Sequence, residues 1–200
     1  MKGLLMYGNR KLPKSTAIFN MNSAKDCPSL KLGMCDVGSK CYALKAERLY
    51  PQVLPYRERQ EAYWDSVNAE EFAGAFLIEV ERKRERVTHL RFSEAGDFKS
   101  QADVDKMNEI AFYLGYQSIT VYGYTARRDL DFSKAKHMTV LASGFTGTDG
   151  LFLGVKGAKH YHLEARKLGI RAFICPADCK VCTLCPKAKG KGTIIYAEMH

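Results

Sequence analysis

The chain predicts an α/β fold: a partial (β/α) barrel, or an open and mostly parallel sheet, with cysteine-rich irregular segments near both ends. Three observations carry this. Apolar stripes at helical spacing alternate along the middle of the chain with short β-branched and aromatic runs. Pro51, Gly115 and Gly169 mark the ends of helical runs. The seven cysteines form two tight groups at opposite ends, with none between.

Residues 1–15 are basic, carry Gly3, Gly8 and Pro13, and read as a loose arm or an edge strand. Thr16 to Met21 reads as a short strand leading into the first cysteine segment, 22–41, where Pro28, Gly33 and Gly38 predict irregular backbone. Tyr42 to Leu49 is helical and stops before Pro51, and a second helix runs from near Pro55 through Trp64. Asn68 with Glu71 three residues on signals a helix start. Phe72, Phe76, Leu77 and Val80 then form the apolar stripe of that helix.

Val87 to Phe92 reads as a strand ending in Ser93-Glu94-Ala95-Gly96-Asp97. Ser100 and Asp103 head a helix with the stripe Val104, Met107, Ile110, Ala111 and Leu114, closed by Gly115. Ser118 to Tyr124 and Met138 to Leu141 are strands, separated by a short turn near 129–135. A glycine-rich stretch, 144–157, reads as a loop with a short strand at Leu151–Val155; it has neither dinucleotide nor Walker spacing. Lys159 to Leu168 is helical, and Ile170 to Ile174 is a strand delivering Cys175. After the second cysteine segment, 175–192, Thr193 to Tyr196 is a last strand. Right-handed crossovers would gather the strand C-terminal ends on one rim, where α/β sites usually sit. The two cysteine groups could then meet in space.

Length and composition suit one domain over residues 1–200, 46% hydrophobic and 26% charged. No run approaches the roughly 20 apolar residues of a membrane span. The N-terminus carries too short an apolar run for a signal peptide, so a reducing, cytoplasmic compartment is expected. The formal charge of +9 points to a polyanionic partner. Basic residues interleaved with tyrosines suit single-stranded nucleic acid, DNA first, which needs a cationic track and stacking rings. The candidates are Arg10, Lys11 and Lys14; Arg48, Tyr56 and Arg57; Arg127 and Arg128; and Lys187, Lys189 and Lys191.

Cys27, Cys35, Cys41, Cys175, Cys179, Cys182 and Cys185 are candidate metal ligands. An odd, clustered set in a non-secreted chain argues against a disulfide framework. The C-terminal group has the core C-x2-C-x2-C followed by Pro186. Unbroken steps of three suit the corners of a 4Fe-4S cubane. Zinc, the alternative, usually takes two separated hooks. The N-terminal group, C-x7-C-x5-C, is less specific. One mixed cluster, two clusters, or a cluster with spectator cysteines all fit the sequence. Whether the protein is an enzyme stays open at this stage.

Several of these segments together resemble the gene-product-88 family of phage proteins. They are Cys27-Pro28, the run Lys40-Cys41-Tyr42-Ala43-Leu44-Lys45, the run Arg91-Phe92-Ser93-Glu94-Ala95-Gly96-Asp97-Phe98, Tyr122-Gly123-Tyr124-Thr125 and the closing cysteine run. The resemblance covers most of residues 20–190. It implies a phage origin, hence a host-cell cytoplasm, and a cysteine-cluster protein of iron–sulfur type. Many family members carry a histidine where this chain has Phe92 or Ser93. A more distant likeness is to radical S-adenosylmethionine enzymes, whose last cluster cysteine has an aromatic neighbour, as Cys41-Tyr42 does. Their C-x3-C-x2-C spacing and Gly-Gly-Glu stretch are missing.

Glu94 and Asp97 follow a strand and could meet a ligand; turn chemistry around Gly96 explains them more simply. His160 and His162, two apart on a helix, point different ways, which a solvent-facing or packed role explains more simply than metal ligation.

Overall fold

The structure is a computed structural model and describes residues 1–199. It is built on one eight-stranded sheet: β1 (Met6–Tyr7), β2 (Thr16–Phe19), β3 (His89–Phe92), β4 (Thr120–Thr125), β5 (Thr139–Ser143), β6 (Gly150–Val155), β7 (Ala172–Ile174) and β8 (Thr193–Glu198). The order across it is β1-β2-β3-β4-β5-β6-β8-β7. β1 is antiparallel to β2, and the remaining pairings are parallel. Among the described residues β1 and β7 each have one neighbour, so the sheet is open and not a closed barrel. The basic arm is therefore an edge strand, with Leu12 buried beyond it.

The helices are α1 (Pro28–Lys31), α2 (Tyr42–Leu49), α3 (Val53–Ser66), α4 (Ala69–Glu81), α5 (Gln101–Gly115) and α6 (Ala158–Lys167). Strand alternation sends Ala17, Phe19, Leu90, Phe92, Val121 and Val140 to one face, where they bury against Trp64, Phe72, Phe76 and the whole predicted stripe of α5. Phe19 meets Phe72 edge-on at 4.9 Å. The capping box at Asn68 and Glu71 is formed in full. α6 packs through Ala158 and Ala165 on Tyr196, Leu153 and Ile194. The β5–β6 link has no room for a helix; Gly144 and Gly147 make the tight crossover at φ +84° and +107°.

The last crossover differs. From β2 to β6 the sheet grows in one direction, one strand at a time, through connections on the helix face. β7 then overshoots by one position, and β8 comes back into the gap between β6 and β7. A right-handed connection running backwards has to cross the other face. Residues 175–192, the second cysteine segment, do so, packing Leu184, Cys185 and Ala188 on Leu141, Ile195 and Phe152.

Candidate metal centre

Cys175 follows β7 directly, and its amide donates to the Tyr196 carbonyl at 2.8 Å. The chain turns at Ala177, a non-glycine residue at φ +57°. The Cys179 amide donates to the Lys11 carbonyl at 3.0 Å, tying the segment to the N-terminal arm. Further on, Thr139 Oγ1 donates to the Pro186 carbonyl at 3.1 Å, and the Gly190 amide to Asp149 at 2.9 Å. Between the segment and the sheet lies a cavity of about 210 Å³ lined by Cys175, Cys179, Cys182 and Cys185 together with His89, Tyr122 and Tyr124. Cys27, Cys35 and Cys41 are not in its lining. Thr16 and His89, at the starts of β2 and β3, also border it, so this site lies over the sheet face rather than on the strand-end rim.

Burial pushes the Cys185 thiol up to about 11; hydrogen bonding from Tyr124 works against this, and the three neighbouring cysteines reinforce it. Cys179 is also raised, by burial first, while Arg91 and Lys11 pull it down. His89 is depressed by burial and by nearby Lys187. Among the described residues no three Cys, His, Asp or Glu side chains are drawn together tightly enough to hold an ion. A single tetrahedral zinc would bring its sulfurs to roughly 3.8 Å from one another, from a Zn–S bond of about 2.3 Å. All four C-terminal thiols border the cavity of about 210 Å³. With four cysteines, His89 and Asp178 in the lining and cations alongside, the donors are of the kind that hold an iron–sulfur cluster or zinc.

The first cysteine group occupies the strand-end rim. Cys27 precedes α1 and Cys41 precedes α2, each at the N-cap position. Cys41 packs with Leu44 on Ala24, Ala43 and Ala95. Burial pushes Cys27 up to about 11, with Asp97 and Cys35 as lesser causes. Asp97 itself is buried and fully engaged: it accepts from Ser29 Oγ and from the Phe98 and Ala126 amides. Gly96 stands at φ +78°, and a Cβ there would lie 1.9 Å from Asn22 Oδ1. Turn chemistry thus accounts for Gly96, whereas Asp97 ties the segments of Ser29 and Ala126 to the turn.

Two residue pairs that build this rim are not evident in the sequence. Asn20 accepts from the Glu94 and Ala95 amides, and Asn22 brackets Asp97 through both its backbone groups. Glu47 accepts from the Ala24 and Lys25 amides and pairs with Arg57 at 2.7 Å. Two asparagines flanking Met21, straight after an apolar strand, were the available signal.

The basic candidates separate into two kinds. Arg10, Lys11, Lys14, Arg48, Arg128, Lys187, Lys189 and Lys191 are exposed. Lys189 also reaches Asp149 and the Ala135 carbonyl. Arg57 and Arg127 are buried: Arg57 binds Glu47 and the Ala43 carbonyl, and Arg127 binds Asp129 and two carbonyls of 98–99. Both hold the fold together and present no free face to a partner. Tyr56 is half-buried, donates to the Leu4 carbonyl, and is pushed up to about 12 by burial.

No helix is long and apolar enough to cross a membrane among the described residues. Searches of curated proteins and of solved structures found no match. A family model described as gene product 88 matches residues 3–150. The match takes in the first cysteine group and the C-terminal ends of β2 to β5; the C-terminal cysteine run lies outside the matched residues. The likeness to radical S-adenosylmethionine enzymes gains no support from it. With a match over most of its length and the Cys-Tyr-Ala and Gly-Asp-Phe segments inside it, the chain belongs to the phage gene-product-88 family.

Proposed function

We propose that this is a cytoplasmic iron–sulfur protein in which Cys175, Cys179, Cys182 and Cys185 hold a 4Fe-4S cluster against the bare face of the sheet. The observation that carries the reading is the gathering of these four cysteines, and no others, around one cavity. Four thiolates complete the protein ligands of a cubane, which leaves no iron vacant for S-adenosylmethionine. A bound cluster would supply one-electron chemistry and a cross-link. The cross-link has work to do: no helix or strand is found in 175–192, and the segment rests on a small patch around Leu141 and Ile195. Cys27 and Cys41, at the starts of α1 and α2, then serve the rim, with Cys35 near Cys27. Anaerobic purification with iron, sulfide and zinc quantitation tests this. Iron and sulfide in near-equal amounts, lost in Cys182→Ala, are expected; zinc alone would replace the reading with a zinc-stapled module.

The same surface suits nucleic acid, single-stranded DNA first. Lys11 is tied to Cys179 by a backbone bond, Lys180 lines the cavity, and Lys187 acts electrostatically on His89. Arg10 and Lys14 flank Lys11 on the exposed arm. Cations thus collect where the arm meets the cysteine segment. A gel shift with single-stranded DNA at about 50 mM and 200 mM salt should show binding that weakens steeply, as counterion release requires. Binding indifferent to salt would defeat this part of the proposal.

A further inference from the structure

Arg91 projects from β3 on the face opposite the helices, between the buried core residues Leu90 and Phe92. Its Nε is enclosed and has no hydrogen-bond partner. It takes part in no ion pair among the described residues. This sets it apart from the buried arginines Arg57 and Arg127, each of which meets a carboxylate. Glu94 is a carboxylate in electrostatic range of Arg91, but it accepts from Asn9 and makes no direct ion pair with the guanidinium. The guanidinium lies 5.1 Å from the centre of the Tyr124 ring. The Tyr124 hydroxyl hydrogen-bonds Cys185, and Arg91 acts electrostatically on Cys179.

A largely enclosed cation that makes no direct ion pair is costly, and a nearby counter-charge offsets that cost. Besides Glu94 and the tyrosines Tyr42, Tyr122 and Tyr124, the group near Arg91 able to carry negative charge is the Cys179 sulfur of the four-cysteine cavity, whose lining Tyr122 and Tyr124 share. We propose that Arg91 is the counter-charge of this centre, stabilising negative charge on the cysteine sulfurs and raising the reduction potential of the group they hold. The inference rests on the iron–sulfur reading. Arg91 is a positioning residue: it acts through Tyr124 and Cys179 and ligates nothing. Its sign is fixed by electrostatics. Reduction adds one negative charge to the centre, a nearby cation favours that state, and its removal lowers the potential.

The test is a potentiometric titration of iron-loaded wild type, R91K and R91Q, each with its iron and sulfide content measured. R91Q should become harder to reduce by at least tenfold in the equilibrium, about 59 mV for one electron. R91K, which keeps the charge and loses the guanidinium over the Tyr124 ring, should shift by less than half as much. Loss of iron from R91Q alone would support the proposal equally. An unchanged potential in R91Q, or equal effects of R91K and R91Q, would overturn it in favour of simple packing. If wild type carries neither iron nor sulfide, the iron–sulfur reading fails by itself. The Arg91 charge is then read from the melting of the metal-free proteins: R91Q should melt above wild type, and a lower melting point would end the proposal.

Discussion

Glu47 binds two loop amides and Arg57 at once, with side-chain exposures of only 3% and 8% for the two ionic partners. Such a pair owes its stability to being complete, because either partner alone is a stranded charge. Glu47→Gln should therefore cost about 3–5 kcal/mol, read from urea midpoints, and should free the 22–25 loop that leads to Cys27. His89 acts over a pH range. Burial, with help from Lys187, holds it below its ordinary value of 6.5, so the unfolded chain binds its proton more readily. Its contribution is present above about pH 6.5 and is lost as the pH falls through that value toward the depressed folded one. Melting at pH 5.5 and 7.5 should differ less in His89→Gln than in wild type; an equal difference would remove His89 from the account.

At the level of elements, sequence periodicity decided most. The α5 stripe is buried residue for residue, and the Asn68–Glu71 box starts α4 as its spacing requires. Asn68→Ala should cost about 1 kcal/mol in thermal or urea unfolding, the usual value of an N-cap. Boundaries were less legible: β3 begins at His89 and not at Val87, because Thr88 is already turned to the Ser15 carbonyl. The short helix α1 was hidden in a segment rich in turn residues. Pro28 at its first position is the signal that could have shown it. Among site residues, the cysteines were visible in the sequence as types and spacings. Arg57 and Arg127 were misread as surface cations, since a sequence of basic and aromatic residues does not say which charges are paired inside.

The whole molecule has two unequal halves of order. One face of the sheet is closed by three long helices and a large aromatic core; the other carries an irregular segment on a few apolar contacts. Removing metal from the loaded protein should therefore loosen 175–192 selectively. Amide exchange should accelerate there while β2 to β5 and α5 keep their protection; uniform loss of protection would contradict a local cross-link.

Read alone, the sequence determined the α/β class, the order of helices and strands, and the clustering of thiols at both ends, because these follow from periodicity and composition. It could not determine which cysteines share a cavity. That was decided by the sheet order, in which β8 returns inside β7 and a right-handed crossover must then pass over the face without helices. The same crossover set Cys179 within electrostatic reach of Arg91 and parted the C-terminal thiols from those on the rim, a matter of chain path that no local spacing encodes.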